Sequence, residues 1–279
     1  MLATKEKNGR SSEDDLFLKE MRLLYSAPVY PALDSLCDAL LALVYPQACA
    51  VCGASVEARS DGVACGECWR ETRIFSEEDV LCWKCGAPSK APAAAPPPQE
   101  KLVDVRCRRC EGESFEAARA CGVYEGALRA AVLALKREPH VPLRVARLLY
   151  QTQQRPPISR ATRIVPVPLH PDRERERGFN QAMALGRSLA ALTGLPLDEW
   201  SLSRTLQTGR HRAGMDAEAR RESVCDAFHV ARPRLVEGES ILLIDDVFTT
   251  GATVSACSAA LNMAGAREVF VLTLARPKE

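Results

Sequence analysis

From residue 115 onward, short apolar runs alternate with stretches whose apolar residues recur at helical spacing. Residues 117–124 read as a strand, and residues 128–137 and 143–150 as helices. Residues 163–168 form a short buried strand whose prolines mark its end as a special loop. Residues 178–193 predict one long helix, with Gly194 as its stop. Residues 226–231 suggest a strand. Residues 241–245 are an apolar run of the kind found in parallel strands buried on both faces. Residues 255–263 predict a helix stopped by Gly265, and residues 268–275 the last strand. Strands alternating with helices predict an α/β fold, a mostly parallel sheet with flanking helices. Upstream the pattern is weaker. Residues 15–25 and 33–45 predict one or two leading helices after a disordered start. Residues 89–99 hold KAPAAAPPP, an extended, polyproline-like spacer.

Composition narrows the class. The chain has 279 residues, and 37 Lys+Arg against 36 Asp+Glu leave a formal charge of +1, so any basic surface must be local. At 47% hydrophobic residues there is enough apolar matter for a core, which excludes disorder of the whole chain. The charged start shows no secretory signal. The longest apolar stretch, 39–45, is far short of the roughly 18 residues of a membrane span. A cytoplasmic location and no membrane span are therefore expected.

Cysteine changes the picture most. There are twelve, against four histidines. In a reducing compartment, cysteine pairs are read as metal ligands or redox pairs. Eight form CxxC pairs: Cys49 with Cys52, Cys65 with Cys68, Cys82 with Cys85, and Cys107 with Cys110. The unit CxxCGA…CxxC occurs twice. Two thiolates on a tight turn can each lie about 2.3 Å from one zinc, and two such knuckles complete a tetrahedron. A glycine after the second cysteine lets the backbone turn back. The repeat favours joining the first pair to the second and the third to the fourth, with a cross-braced arrangement as the alternative. Two structural Zn2+ sites fit better than a redox pair or iron–sulfur clusters. The isolated Cys37, Cys121, Cys225 and Cys257 read as small buried hydrophobes. Arg106, Arg108 and Arg109 make a small basic cluster at the last knuckle.

The densest chemistry follows the 241–245 strand: Asp245, Asp246, Val247, Phe248, Thr249, Thr250, Gly251, Ala252 and Thr253. Ligands of open α/β sheets bind beyond the carboxyl ends of strands. A helix start with a glycine and hydroxyl residues offers N–H and O–H donors to a phosphate. Two carboxylates beside it can accept hydrogen bonds from a vicinal diol. The local physics suggests a sugar 5-phosphate with free 2- and 3-hydroxyls. The competing reading is a capped helix after an ordinary turn. Neither GxxxxGK[ST] nor a GxGxxG after a strand is present, which removes the P-loop and dinucleotide readings.

This segment resembles the phosphoribosyl pyrophosphate (PRPP) motif of type I phosphoribosyltransferases. The run Leu-Leu-Ala-Leu-Val-Tyr-Pro at 40–46, Val-Pro-Val-Pro-Leu-His-Pro at 165–171, Arg-Gly-Phe-Asn-Gln at 177–181 and the closing Ala-Gly-Ala at 264–266 are similar to the ComF family of competence-associated proteins. The resemblance covers about residues 36–276. It implies a leading segment at 1–44, a double zinc ribbon at 45–114 and a phosphoribosyltransferase-like domain at 115–279. It also implies roles. Asp245 and Asp246 would bind the ribose hydroxyls, and Thr249, Thr250, Gly251, Ala252 and Thr253 the 5-phosphate. Val167, Pro168, Leu169 and His170 would form a pyrophosphate loop with Arg177 as an anion contact, and Mg2+ would accompany PRPP. The alternating Arg173, Arg175 and Arg177 otherwise read as a solvated face, and Lys136 as a helix-end lysine or a further cation. The arginine-rich stretch 203–221 would be a flexible loop closing over the ligand, with Arg204, His211 and Arg220 as candidates for catalysis.

Two readings stand side by side. One is a PRPP-binding protein of DNA uptake, with single-stranded DNA and competence proteins as partners. The other is an active phosphoribosyltransferase whose ribbons are purely structural. Few aromatics are available to stack bases, Trp69 and Trp83 being the ribbon candidates, so DNA contact would be phosphate-driven and salt-sensitive.

Overall fold

A computed structural model describes residues 47–88, 107–204 and 227–278. The leading helices, the run at 40–46, the proline-rich spacer, Cys37, Cys225, Arg106 and residues 205–226 with His211 and Arg220 lie outside the described residues. Among those described, a helix α1 (Gly66–Glu71) sits within the first cysteine unit. Strand β1 (Ala117–Val123) follows the second unit, then helices α2 (Gly126–Leu135) and α3 (Leu143–Gln153) and strand β2 (Arg163–Pro166). Helices α4 (Pro171–Arg177) and α5 (Gln181–Thr193) lead to a short antiparallel pair, β3 (Leu202–Arg204) with β4 (Phe228–Val230). Strand β5 (Ser240–Val247), helix α6 (Ala252–Met263) and strand β6 (Glu268–Arg276) complete the chain.

The main sheet has the order β1-β6-β5-β2, and all three pairings are parallel. The expected α/β class, a parallel sheet with flanking helices after a cysteine-rich front, is what the structure shows. Alternate side chains of β5 serve two cores. Leu242 and Ile244 join α2, α3 and α5, whereas Ile241 and Leu243 join α6. All four are fully buried, which is why this strand shows no hydrophobic alternation.

The helix expected at 178–193 is α5, which starts at Gln181 and ends at the expected stop Gly194, and a separate short helix, α4, precedes it. The alternating charges form α4, of which no residue is buried and in which Arg175 pairs with Asp172 at 2.8 Å. Gly178 ends α4 in the left-handed region at φ 77°, and Asn180 then caps α5 by accepting from the Ala182 N–H at 2.9 Å. A stop residue and a fresh cap outweigh continuous helical periodicity.

Both ribbon units pack into the cores of the sheet. Cys49, Val56, Cys65, Cys68 and Trp69 belong to the core on the α2–α3 face. Cys82, Cys85, Ala87 and Cys110 belong to the core on the α6 face. The edge of β1 is covered by the same segment: Phe75 N–H donates to the Cys121 carbonyl at 2.9 Å, Val123 N–H to that of Arg73 at 2.9 Å and Ala118 N–H to that of Lys84 at 2.6 Å. The edge of β2 is covered by residues 196–198, through Ile164 N–H to Pro196 at 2.8 Å and Asp198 N–H to Ile164 at 2.9 Å. Cys121 and Cys257 are fully buried, and burial pushes both thiols up, Cys121 to about 12.

Candidate anion site and cysteine tetrads

The cysteine repeat is a repeat in space. Cys49 N–H donates to the Ala54 carbonyl at 2.7 Å, and Cys82 N–H to that of Ala87 at 2.7 Å. Gly53 at φ 79° and Gly86 at φ 67° turn the chain back after each knuckle. At Gly86 a Cβ would also lie 2.6 Å from the Ala118 carbonyl oxygen, so side chain and docking on β1 exclude each other. The first pair meets the second and the third meets the fourth, in two tetrads whose ligand atoms lie within 4.8 Å of one another. Sγ–Sγ distances are 3.7 Å for Cys49–Cys68 and Cys52–Cys65. They are 3.6 Å for Cys82–Cys110 and 3.4 Å for Cys85–Cys107. Disulfides need about 2.05 Å. A tetrahedron with Zn–S near 2.3 Å has edges of about 3.8 Å, close to what is seen.

Electrostatics fit the same ion. Burial opposes ionisation of Cys49, yet the N–H groups of Cys52, Cys65 and Val51 outweigh it and hold the thiol down to about 6. Burial likewise opposes ionisation of Cys82, but the N–H groups of Cys85 and Cys107 hold it down to about 7. Burial and the neighbouring thiols push Cys68 and Cys110 up. Four crowded thiols cannot all ionise without a cation among them, and a divalent ion with sulfur affinity supplies it. Arg119 is buried against the second tetrad. Its Nη1 donates to the Trp83 and Ala118 carbonyls at 2.8 Å, and its guanidinium stacks over the Trp83 ring at 5.4 Å. Burial holds that guanidinium down to about 10, with Cys82 and Cys85 pulling the other way, so it is a cation at neutral pH.

The candidate anion site lies at the carboxyl ends of β5 and β2. Asp245 and Asp246 lie at the end of β5, both half-buried. Thr249, Thr250, Ala252 and Thr253 are exposed at the start of α6, and Gly251 is its N-cap at φ 84°. Val167 N–H donates to the Ile244 carbonyl at 2.9 Å, which sets the Val167, Pro168, Leu169 and His170 loop beside the residue preceding Asp245. Asn180, 8% exposed, fixes that loop by donating from Nδ2 to the Val167 carbonyl at 3.0 Å. His170 Nδ1 accepts from Asp172 N–H at 3.2 Å, so His170 caps α4. Arg177 is half-buried at the end of α4.

Burial, and then the like charge of Asp246, push the Asp245 carboxyl up to about 7. The Asp246 N–H, donating to Asp245 Oδ1 at 2.8 Å, and the Lys136 cation oppose that rise. Lys136 is the C-cap of α2, so a residue more than a hundred positions upstream shares the field of the acidic pair. Arg204 ends β3 with its guanidinium over Phe228 at 5.5 Å. Trp69 is only 2% exposed and donates from Nε1 to the Asp61 carbonyl at 2.9 Å, so it cannot stack on a base, contrary to the sequence expectation. Trp200, 67% exposed, is the tryptophan that presents a face to solvent. Asn180 stands in the Arg-Gly-Phe-Asn-Gln run, where the sequence assigns it no role, and the sequence does not single out Arg119 and Arg276. For the two arginines the only signal is a cation set among apolar neighbours.

A double zinc ribbon domain family matches residues 40–111. The chain is 29% identical over 257 residues to the DNA utilization protein YhgH of Salmonella typhimurium, covering 88% of this chain and 97% of that protein. It is 35% identical over 114 residues to competence protein F of Haemophilus influenzae, covering 40% of this chain and 49% of that protein. The front of the chain thus resembles a double zinc ribbon, and the chain is similar to DNA utilization and competence proteins. A solved structure of glutamine PRPP amidotransferase from B. subtilis, complexed with ADP and GMP, is 21% identical with a TM-score of 0.34. That match covers 53% of this chain and 26% of the amidotransferase, about a quarter of its length. No helix among the described residues is long and apolar enough to cross a membrane.

Proposed function

We propose that this chain binds PRPP with Mg2+ at the carboxyl ends of β5 and β2, in the cytoplasm, and serves DNA uptake or utilization. The observation that carries this reading is the convergence of an acidic pair, a glycine-led hydroxyl turn at a helix N-terminus and a loop fixed by Asn180. Asp245 and Asp246 accept from the ribose hydroxyls. The exposed turn at 249–253 donates N–H and O–H groups to the 5-phosphate. Pyrophosphate lies on the 167–170 loop, with Lys136 and Arg177 as flanking cations. Mg2+ accompanying PRPP would supply neutralisation of the pyrophosphate charge. His211 and Arg220, in the loop proposed to close over the ligand, belong to the same reading. Zinc in both tetrads replaces core that the small ribbons lack.

The relatives' names support a DNA-related role; single-stranded DNA and competence proteins are the partners proposed. On this chain, the exposed Arg108 beside the last knuckle and the exposed ring of Trp200 offer phosphate and base contacts. Calorimetry with PRPP and Mg2+ tests the binding reading. Asp246→Asn should weaken binding at least tenfold while thermal stability holds, since Asp246 is half-buried and its N–H contact to Asp245 is a backbone bond. Unchanged affinity would remove the assignment. Pyrophosphate release in an acceptor panel tests transfer. Release that depends on one acceptor establishes a phosphoribosyltransferase, and binding without release establishes a ligand-sensing module.

A further inference from the structure

The anion turn rests on groups that never reach its ligand, and these lead to the second ribbon. A Cβ on Gly251 would lie 2.9 Å from Phe248 Cζ, so the turn sits directly on that ring. Phe115 meets the same ring edge-on, with centroids 5.9 Å apart at 82°. The Arg276 guanidinium lies over it at 5.4 Å. Arg276, at the end of β6 and 5% exposed, donates from Nη1 to the Cys85 carbonyl at 2.7 Å. Cys85 is a ligand residue of the second tetrad. The segment leaving that ribbon grips α6, the helix the turn opens. Ser114 N–H donates to Ser255 Oγ at 2.9 Å, and the Ser114 carbonyl accepts from Asn262 Nδ2 at 2.8 Å.

The first tetrad has different neighbours. Thr72 Oγ1 donates to the Cys68 carbonyl at 2.6 Å and accepts from the Ala127 N–H at 2.8 Å, and Arg144 pairs with Asp61 at 2.8 Å. These contacts lead to α2 and α3, on the opposite face of the sheet from α6.

A carbonyl within a CxxC knuckle keeps its place only while the knuckle is closed, and four thiolates without a metal repel one another. We propose that Arg276 is a positioning residue through which the second cysteine tetrad sets the 249–253 turn, so that metal occupancy of that tetrad and phosphate binding at the turn are coupled. The coupling rests on the phosphate reading given above. Linkage makes it reciprocal: a ligand on the turn must tighten metal binding at the second tetrad by the factor by which metal loss weakens the ligand, and slower metal loss is the expected sign of it.

The experiment uses the full zinc-loaded chain. A chromogenic chelator draws off zinc with and without PRPP and Mg2+, freed thiols are alkylated, and mass spectrometry maps which tetrad opened. Calorimetry measures PRPP affinity in parallel. PRPP should slow alkylation of Cys82, Cys85, Cys107 and Cys110 about tenfold, within the usual range of such couplings, and leave Cys49, Cys52, Cys65 and Cys68 unchanged. Arg276→Met should retain two zinc ions, bind PRPP about tenfold more weakly and lose the protection; Arg276→Lys should restore part of both. Should Arg276→Met fail to fold, the wild-type comparison still decides. Binding by calorimetry without selective protection overturns the coupling alone. Absence of binding overturns the phosphate reading and the coupling with it.

Discussion

Replacing Asp245 by Asn should stabilise the ligand-free protein at alkaline pH while weakening its ligand. The carboxyl is held up to about 7 by burial and by Asp246. An aspartate in the unfolded chain titrates near about 3.9. The folded state therefore holds the proton more tightly, and stability falls as pH rises from about 4 to about 7. A thousandfold difference in proton affinity is worth about 4 kcal/mol at most. The half-buried pair is partly screened by water, which brings the expected effect to about 1–3 kcal/mol. Asn keeps the acceptor for the Asp246 N–H and removes the charge. Urea unfolding at pH 5 and pH 8, with zinc present throughout, measures the two proteins under the same conditions. Groups that do not feel the Asp245 charge are common to both and cancel, so the difference reads Asp245 together with its coupled neighbours Asp246 and Cys257. Asp245→Asn should gain on wild type as pH rises and level off above pH 8. A stability difference that does not change between the two pH values would refute the description of Asp245 as a buried carboxyl beside a like charge.

Metal analysis of the purified chain should give two zinc per chain by the four-thiolate rule, with one or none arguing against two tetrads. Gly251→Ala places a Cβ 2.9 Å from Phe248 Cζ at φ 84° and should cost about 1–3 kcal/mol in thermal unfolding. Gly238→Ala, at φ 74° with nothing within 4 Å, should lose only about 1 kcal/mol and serves as the control. Single-stranded DNA binding, followed by fluorescence anisotropy, should weaken steeply from low to physiological salt; a salt-independent affinity would contradict phosphate-driven contact.

How much the sequence disclosed follows from the range of each contact. The turn from Asp245 to Thr253 was legible because strand, acidic pair and helix start are contiguous in the chain, and a strand buried on both faces announces itself by its unbroken apolar run. The tetrads were legible because a repeated spacing survives folding. Gly178 reads in sequence as the first residue of a helix because periodicity does not show that it ends the preceding α4 and that Asn180 caps α5. Trp69 was misread as a surface ring because a tryptophan among charged neighbours gives no sign that its N–H has found the Asp61 carbonyl. The sequence alone does not single out Arg276. Its partner Cys85 is 191 residues away, and only the sheet order brings the end of β6 to the second knuckle. Arg119 likewise depends on β1 being the edge strand that receives the ribbon.

The placement of the ribbons bears on what they are for. A parallel sheet needs both faces covered and both edges closed. Here α2, α3 and α5 pack on one face, while α6 is the main helix on the other. The missing cover on that second face is the second ribbon, whose Cys82, Cys85 and Cys110 share a core with Ile241, Leu243 and Val271. The open edge of β1 is closed by three backbone bonds from residues 73–84. Cutting the chain ahead of residue 115 would leave a sheet with an exposed apolar face and an unpaired edge, an aggregation hazard. Metal at the tetrads then contributes to the stability of the α/β half as well as to its own loops. An independent reading head for DNA would instead need a ribbon whose contacts end at its own knuckles.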